Sequence, residues 1–507
     1  MGFKEDADFA RFVAMGAVGA AAAADDLRDR YGHEPIEFER YAMANKVWQS
    51  KVKRLRLPDL LCARCGLRVE ARAKSKLAIV LSHSDVPGRG WDDGGMRDSD
   101  LFAFMRVDSS SGTFPPTVAE PMWFSTAALR ASTDHTRRSN PNAASEGSEV
   151  TMTWPCWVPS SGGTFEGVDD DDRIVWSNDA GQRKLYWHWR YWTGQRHLYL
   201  RPGDTFEPGA HIVAGIVEPP TSLICPGQTW NVADALQGSD AVERLAAVRA
   251  TSAMHEIDAS ARLVAVALDD GEDWRVALEA RVALARREPE RWVPLLAAGA
   301  SADTEREQSM EAVLALTEVN ASEALDALCD IAARDSLHSD VRAAAAWGIG
   351  QGAAANPERL MPMVLDTDPL VAFHATGAVD AVSDAMSVEL LAWLGSGDQR
   401  RAAAAANVLA RNRRVDVLLD AYEQDEEPTR KWAIYALGGM EASIVRSRAQ
   451  ARMTEELRAA LEPMWLRELD WLQTDDDPLA ALDLQKVRFD PLRPSLDDID
   501  RNRPASA

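Results

Sequence analysis

Apolar positions along the chain follow two different periods, and the change falls near Gly238. Before it, short alternating runs rich in Val, Ile, Phe, Trp and Tyr are broken by Gly, Pro, Asn and Asp, the pattern of half-buried strands joined by turns. After it, alanine dominates. Small or apolar residues then recur at i, i+3, i+4 and i+7, the spacing of helices with one buried face.

In the first part an Ala-rich helix is expected over 8–31, entered after Asp6 or Asp8 and ended near Gly32. A second helix is expected over 35–48. It leads into a β-hairpin with strands at 55–61 and 67–77, joined by Cys62-Ala-Arg-Cys-Gly66. If Arg64 and Cys65 form the loop, counting back sets Asp59 opposite Glu70. Period-two alternation then puts Glu70, Arg72 and Lys74 on one face. Further strands are expected at 101–107, 173–177, 184–192, 197–200 and 211–217, with a short helix at 125–131 and a long loop at 133–147.

In the second part related segments recur: Asp273-Trp-Arg-Val-Ala, Asp340-Val-Arg-Ala-Ala, Asp368-Pro-Leu-Val-Ala, Asp398-Gln-Arg-Arg-Ala and Glu427-Pro-Thr-Arg-Lys. The last four start 28, 30 and 29 residues apart. Each opens with an acidic helix cap and is followed by a shorter second helix. A two-helix unit this short cannot bury its own apolar face, so neighbours must stack. Over about 240–440 the pattern resembles the HEAT-repeat family in a short form of about thirty residues per repeat. The resemblance implies an α-solenoid that binds macromolecules along an extended surface.

The fold class expected is therefore multidomain, an N-terminal β-rich α/β domain followed by an all-α HEAT-like solenoid. The parts are an N-terminal helix (1–34), the β-rich domain with its Cys-x-x-Cys hairpin (35–232), the solenoid (236–440), a helical cap (441–474) and an acidic, Pro-rich tail (475–507).

Charge narrows the function. With 79 acidic and 56 basic residues the net charge is -23, which excludes whole-surface attraction to nucleic acid. Five of the nine lysines nevertheless fall in one basic run from Lys46 to Lys76. Lys51, Lys53, Arg54 and Arg56 within it are candidates for contacting a phosphate backbone. Five cysteines are too few for a disulfide scaffold. The apolar stretch 9–24 contains Arg11 and is too short to span a bilayer. A cytoplasmic protein without membrane contact or organic cofactor is expected.

Two kinds of chemistry gather at the hairpin. Cys62-Ala-Arg-Cys-Gly66 has the form of a zinc knuckle, in which two thiolates converge on one ion. Cys156 and Cys225 are the candidates to complete a four-ligand structural zinc site. Asp59 and Glu70 could also bind a divalent cation, with a nearby cation stabilising a phosphoryl transition state. The arrangement Pro58-Asp59…Glu70-Ala-Arg72 resembles the PD-(D/E)xK nuclease superfamily, with Arg72 in place of its lysine and Lys74 two residues on. That resemblance implies Mg or Mn chemistry at Asp59, Glu70, Arg72 and Lys74, with Glu37 or Glu39 from the preceding helix. The expectation is an interaction scaffold or adaptor with a metal-knuckle module, its protein partner bound by the solenoid. The alternative is a metal-dependent nuclease. Trp187-His-Trp-Arg-Tyr-Trp192 is a further candidate, as a strand packing a small β core or stacking bases or sugars.

Overall fold

The computed structural model describes residues 6–38, 55, 57–84, 90–91, 96–108, 117–132, 136–139, 149–253, 260–300, 304–351, 356–424 and 427–466. Among these the chain forms two compact units, 6–262 and 263–466. The first is strand-rich and the second all-helical.

The first unit begins with helix α1 (Asp6–Tyr31). It stops at Gly32, whose φ of +70° only glycine adopts without strain. The Gly32 and His33 N–H groups donate back to the Arg28 and Leu27 carbonyls, closing the helix end. Strands β1 (Pro35–Glu37), β2 (Leu60–Cys62), β3 (Arg68–Lys74), β4 (Val80–Ser84) and β5 (Leu101–Asp108) follow. Next come β6 (Thr117–Val118), β7 (Met122–Ser125), helix α2 (Thr126–Ala131), β8 (Thr136–Ser139), β9 (Glu149–Thr153) and β10 (Cys156–Trp157). The unit's last strands are β11 (Gly163–Val168), β12 (Ile174–Asn178), β13 (Arg183–Tyr186), β14 (His197–Leu198), β15 (Thr205–Phe206) and β16 (Ala214–Gly215).

The central sheet runs β1-β2-β3-β5, with β6 and β7 both paired to β5. Its β3–β5 pair is parallel. The rest are antiparallel. Strand β5 is buried on both faces, so its sequence reads as a continuous apolar run. Leu101, Ala103, Met105 and Val107 pack with Met15, Ala23 and Leu27 of α1. Phe102 and Phe104 instead join Leu81, Val150, Met152 and Trp154 of the β8-β9-β4 sheet side. Gly19 allows the close approach of α1, since a Cβ there would lie 2.7 Å from Ala73 Cβ. A third core of Trp157, Phe165, Ile174, Trp176 and Phe206 fills the β13-β12-β11-β15 sheet.

Two local expectations are corrected. Residues 35–37 are strand, not the start of a helix, because Ile36 finds Leu61 of β2 as its partner. The rest of 35–48 lies outside the described residues. The 184–192 strand ends at Tyr186, and His188–Tyr191 is a 3-10 turn.

Helices α3 (Val232–Ala235) and α4 (Ala241–Ala253) close the first unit, and α5 (Ser260–Leu268) spans the division. The second unit contains α6 (Trp274–Ala285), α7 (Pro289–Ala298), α8 (Arg306–Leu316), α9 (Ser322–Ala332), α10 (Ser339–Ile349) and α11 (Met361–Val364). It continues through α12 (Pro369–Ala378), α13 (Asp384–Leu394), α14 (Gln399–Arg411), α15 (Val415–Glu423), α16 (Glu427–Gly438), α17 (Ala442–Ala449) and α18 (Glu455–Leu466). Helices α6, α8, α10, α12, α14, α16 and α18 form one rank in which each touches the next, while α7, α9, α11, α13, α15 and α17 alternate with them. The arrangement is compatible with an α-solenoid. Rank position explains composition. Residues 340–349 of α10 are all buried, and alanine allows neighbours on both sides, whereas α9 alternates buried and exposed positions.

Asp273, Asp368 and Asp398 cap their helices by accepting backbone N–H bonds, as the sequence pattern implies. Asp340 does not. His338 caps α10, and Asp340 is buried within its first turn. The expected terminal helix is two helices, divided by a 3-10 turn at Gln450–Arg452.

Candidate metal centre

The Cys-x-x-Cys-Gly link turns as a knuckle. Gly66 N–H donates to the Cys62 carbonyl at 2.8 Å, and Gly66 sits at φ +69°. Its bare Cα lies under the Trp230 ring, where a Cβ would come within 2.6 Å of Trp230 Cγ. The Arg97 guanidinium caps the Gly66 carbonyl. Glu34 N–H donates to Cys62 Sγ at 3.5 Å.

Three segments converge on this knuckle. His33 follows the glycine stop of α1. Cys62 and Cys65 come from the link. Cys225 comes from a coil whose backbone N–H donates to the Tyr31 carbonyl at 2.8 Å. One donor atom from each of the four residues lies within 4.8 Å of the others. His33 Nδ1 is 3.5 Å from Cys65 Sγ, while its Nε2 is bonded to the Leu223 carbonyl at 2.8 Å. That second bond fixes the ring and leaves Nδ1 for the cluster. The set could hold a metal ion such as zinc. Three sulfurs and an imidazole match the composition of structural zinc sites.

Charge is arranged to suit a cation. Cys62 is held far below the ordinary thiol range, chiefly by a hydrogen bond from Cys65 and then by His33 and Glu34 N–H, against the opposing effect of burial. Cys65 is raised because it is the proton donor of the pair and is also desolvated. Burial opposes charge on His33, but bonds to Cys62 and the Leu223 carbonyl outweigh it and raise its pKa.

The cluster therefore differs from the expected set in one residue. Cys156 is in β10, paired with Gly215, and its thiol is desolvated so that its pKa rises to about 11. His33 takes its place. A lone histidine after a helix-stop glycine carries no spacing signal, so only the fold could reveal it.

The carboxylates of the hairpin are arranged differently. The pairing of Leu60 with Val69 and Leu61 with Arg68 is in the register that would set Asp59 opposite Glu70, but the ladder ends at Leu60. Asp59 Oδ2, however, accepts the Ala71 N–H at 2.7 Å, standing in for the ladder beyond the end of β2. Glu70 is paired with Arg72 at 2.6 Å. Lys74 is half-buried, and desolvation, assisted by Arg72, lowers its pKa to about 8. Among the described residues, the only group of three or more metal-capable side chains is the His33 cluster. Glu39, Lys51, Lys53, Arg54 and Arg56 lie outside the described residues.

Elsewhere, Trp189 is buried, whereas Trp187 and Tyr191 are exposed and flanked by Arg173 and Arg190. The acidic turn at 169–172 is a hairpin turn, with Asp169 bonded to Arg173. No described helix is long and apolar enough to cross a membrane. Comparison with protein-family models and with curated proteins finds no match to this chain.

Proposed function

We propose that this protein is a macromolecular scaffold, in which HEAT-like repeats offer an extended protein-binding surface and follow a zinc-stapled N-terminal module in sequence. The observation that carries this reading is the unbroken rank α6, α8, α10, α12, α14, α16, α18. Stacked helices expose area rather than a pocket, which suits a protein partner. Zinc in the first unit is then structural, since four protein donors leave no open position for catalysis.

The second reading is a Mg- or Mn-dependent nuclease. It is supported by Glu70, Arg72 and Lys74 sharing a half-buried face beside Asp59. The Asp59 bond to Ala71 N–H and the Glu70–Arg72 pair favour a structural role for both acids.

One experiment separates the readings. A photo-crosslinking residue at Val388, which is 70% exposed on α13, is compared in the native host with one at Trp187 in the first unit. A defined adduct from 388 and none from 187 is expected. In parallel, purified protein and Asp59→Ala are assayed for Mg- and Mn-dependent cleavage of DNA and RNA. No cleavage by either is expected. Cleavage lost in Asp59→Ala, with no adduct from 388, would overturn the scaffold reading.

A further inference from the structure

The coil that carries Cys225 is long, exposed and poor in its own packing. From 218 to 231 it contains no helix or strand, and most of its residues are exposed, including Ile224 at 65%. Such a segment buries too little apolar surface to offset the entropy of ordering it. Ile216 and Val217 before it are fixed in the sheet core, with the Val217 carbonyl accepting from Tyr199. Beyond them Leu223 packs against the α1 core, and the hydrogen bonds that tie the coil to the rest of the unit fall on the metal cluster or its immediate neighbours. Leu223 O is bonded to His33 Nε2, and Cys225 N–H to Tyr31 O. Thr229 and Trp230 N–H both reach Arg64 O, at 3.0 and 3.1 Å, and the Trp230 ring covers Gly66. Directly afterwards, Asn231 caps α3 by accepting N–H bonds from Ala233 and Asp234.

We propose that a Zn2+ ion held by His33 Nδ1 and the sulfurs of Cys62, Cys65 and Cys225 is the clasp of this strap, and that removing the ion releases residues 218–231 while the sheet stays folded. The inference rests on the zinc reading above and adds what the ion controls. Coordination replaces the remaining thiol protons, which pass to solvent, and ties Cys225 to a knuckle already fixed by β2 and β3. Two of the three chain segments at the site are anchored independently, His33 by α1 and the Cys62–Cys65 pair by the sheet. The strap is the segment that depends on the ion.

The test uses the full-length protein, metal-stripped with a chelator and reconstituted with Zn2+, or with Co2+ for its visible absorption. Metal content and hydrogen exchange are read together. One ion per chain is expected. On stripping, the amides of Cys225, Thr229 and Trp230 should exchange at least about tenfold faster, while those of β5 stay protected. Cys225→Ser should reproduce the fast strap in zinc, and Cys156→Ser should leave both readouts unchanged. Absence of bound zinc or cobalt removes the zinc reading itself. Stoichiometric zinc with equal strap protection in both forms leaves that reading intact and overturns the clasp. Loss of β5 protection on stripping also overturns it, because the ion would then hold the whole unit.

Discussion

Gly66 and Gly32 have nearly the same backbone, φ +69° and +70°, but different surroundings, and alanine substitution separates two costs. At Gly32 a Cβ meets nothing within 4 Å. Gly32→Ala should cost only the left-handed conformation, about 1 kcal/mol. At Gly66 the same strain applies, and the Cβ would also lie 2.6 Å from Trp230 Cγ and 2.7 Å from Cδ1. The Trp230 main chain is held by its N–H bond to Arg64 O at 3.1 Å, so the ring can make room only by changing rotamer. Overpacking of this kind adds roughly 1–3 kcal/mol, so Gly66→Ala should cost about 2–4 kcal/mol in all. The assay is urea-dependent hydrogen exchange of β3 amides such as that of Val69, which reports the opening free energy of the first unit. In Gly66→Ala/Trp230→Ala the excess over Gly32→Ala should disappear as a coupling energy. Equal costs for the two glycines, within about 0.5 kcal/mol, would refute the steric argument.

Two further outcomes concern the helical unit. His374 is buried in α12, and desolvation lowers its pKa to about 4 from an ordinary 6.5, with Asp340 opposing. Between those values the unfolded chain takes up a proton that the folded chain refuses. Stability should therefore fall as pH drops from 6.5 towards 4, by about 3 kcal/mol at the low end, and His374→Asn should flatten that slope in urea titrations. Gly350 marks the approach of α10 to α12, since its Cβ would lie 2.6 Å from the Ala378 carbonyl oxygen. Gly350→Ala should cost about 1–3 kcal/mol by thermal unfolding, whereas Gly377→Ala, open on all sides, should be neutral or stabilising by up to about 1 kcal/mol.

The knuckle shows how far local pattern reaches. Cys-x-x-Cys-Gly implies a tight turn with two converging thiols, and the Asp59–Glu70 register follows from turn length and the two-residue period alone. Both are encoded within a dozen neighbouring residues. What the Asp59 carboxylate does is not, because its partner is a backbone N–H freed where β2 stops. The rest of the cluster is not encoded locally either. On sequence Cys156 and Cys225 are equal candidates to join the knuckle, and only the β10–β16 pairing places Cys156 elsewhere.

The sequence by itself determined the two periods, the glycine stop of α1 and the Asp caps at 273, 368 and 398. Each of these is set by interactions within a turn or two of chain. Only the tertiary structure decided that 35–37 is a strand, that β3 runs parallel to β5, and that His33 belongs with Cys225. Those outcomes depend on hydrogen bonds and close contacts between residues far apart in sequence, and local propensity carries no information about such partners.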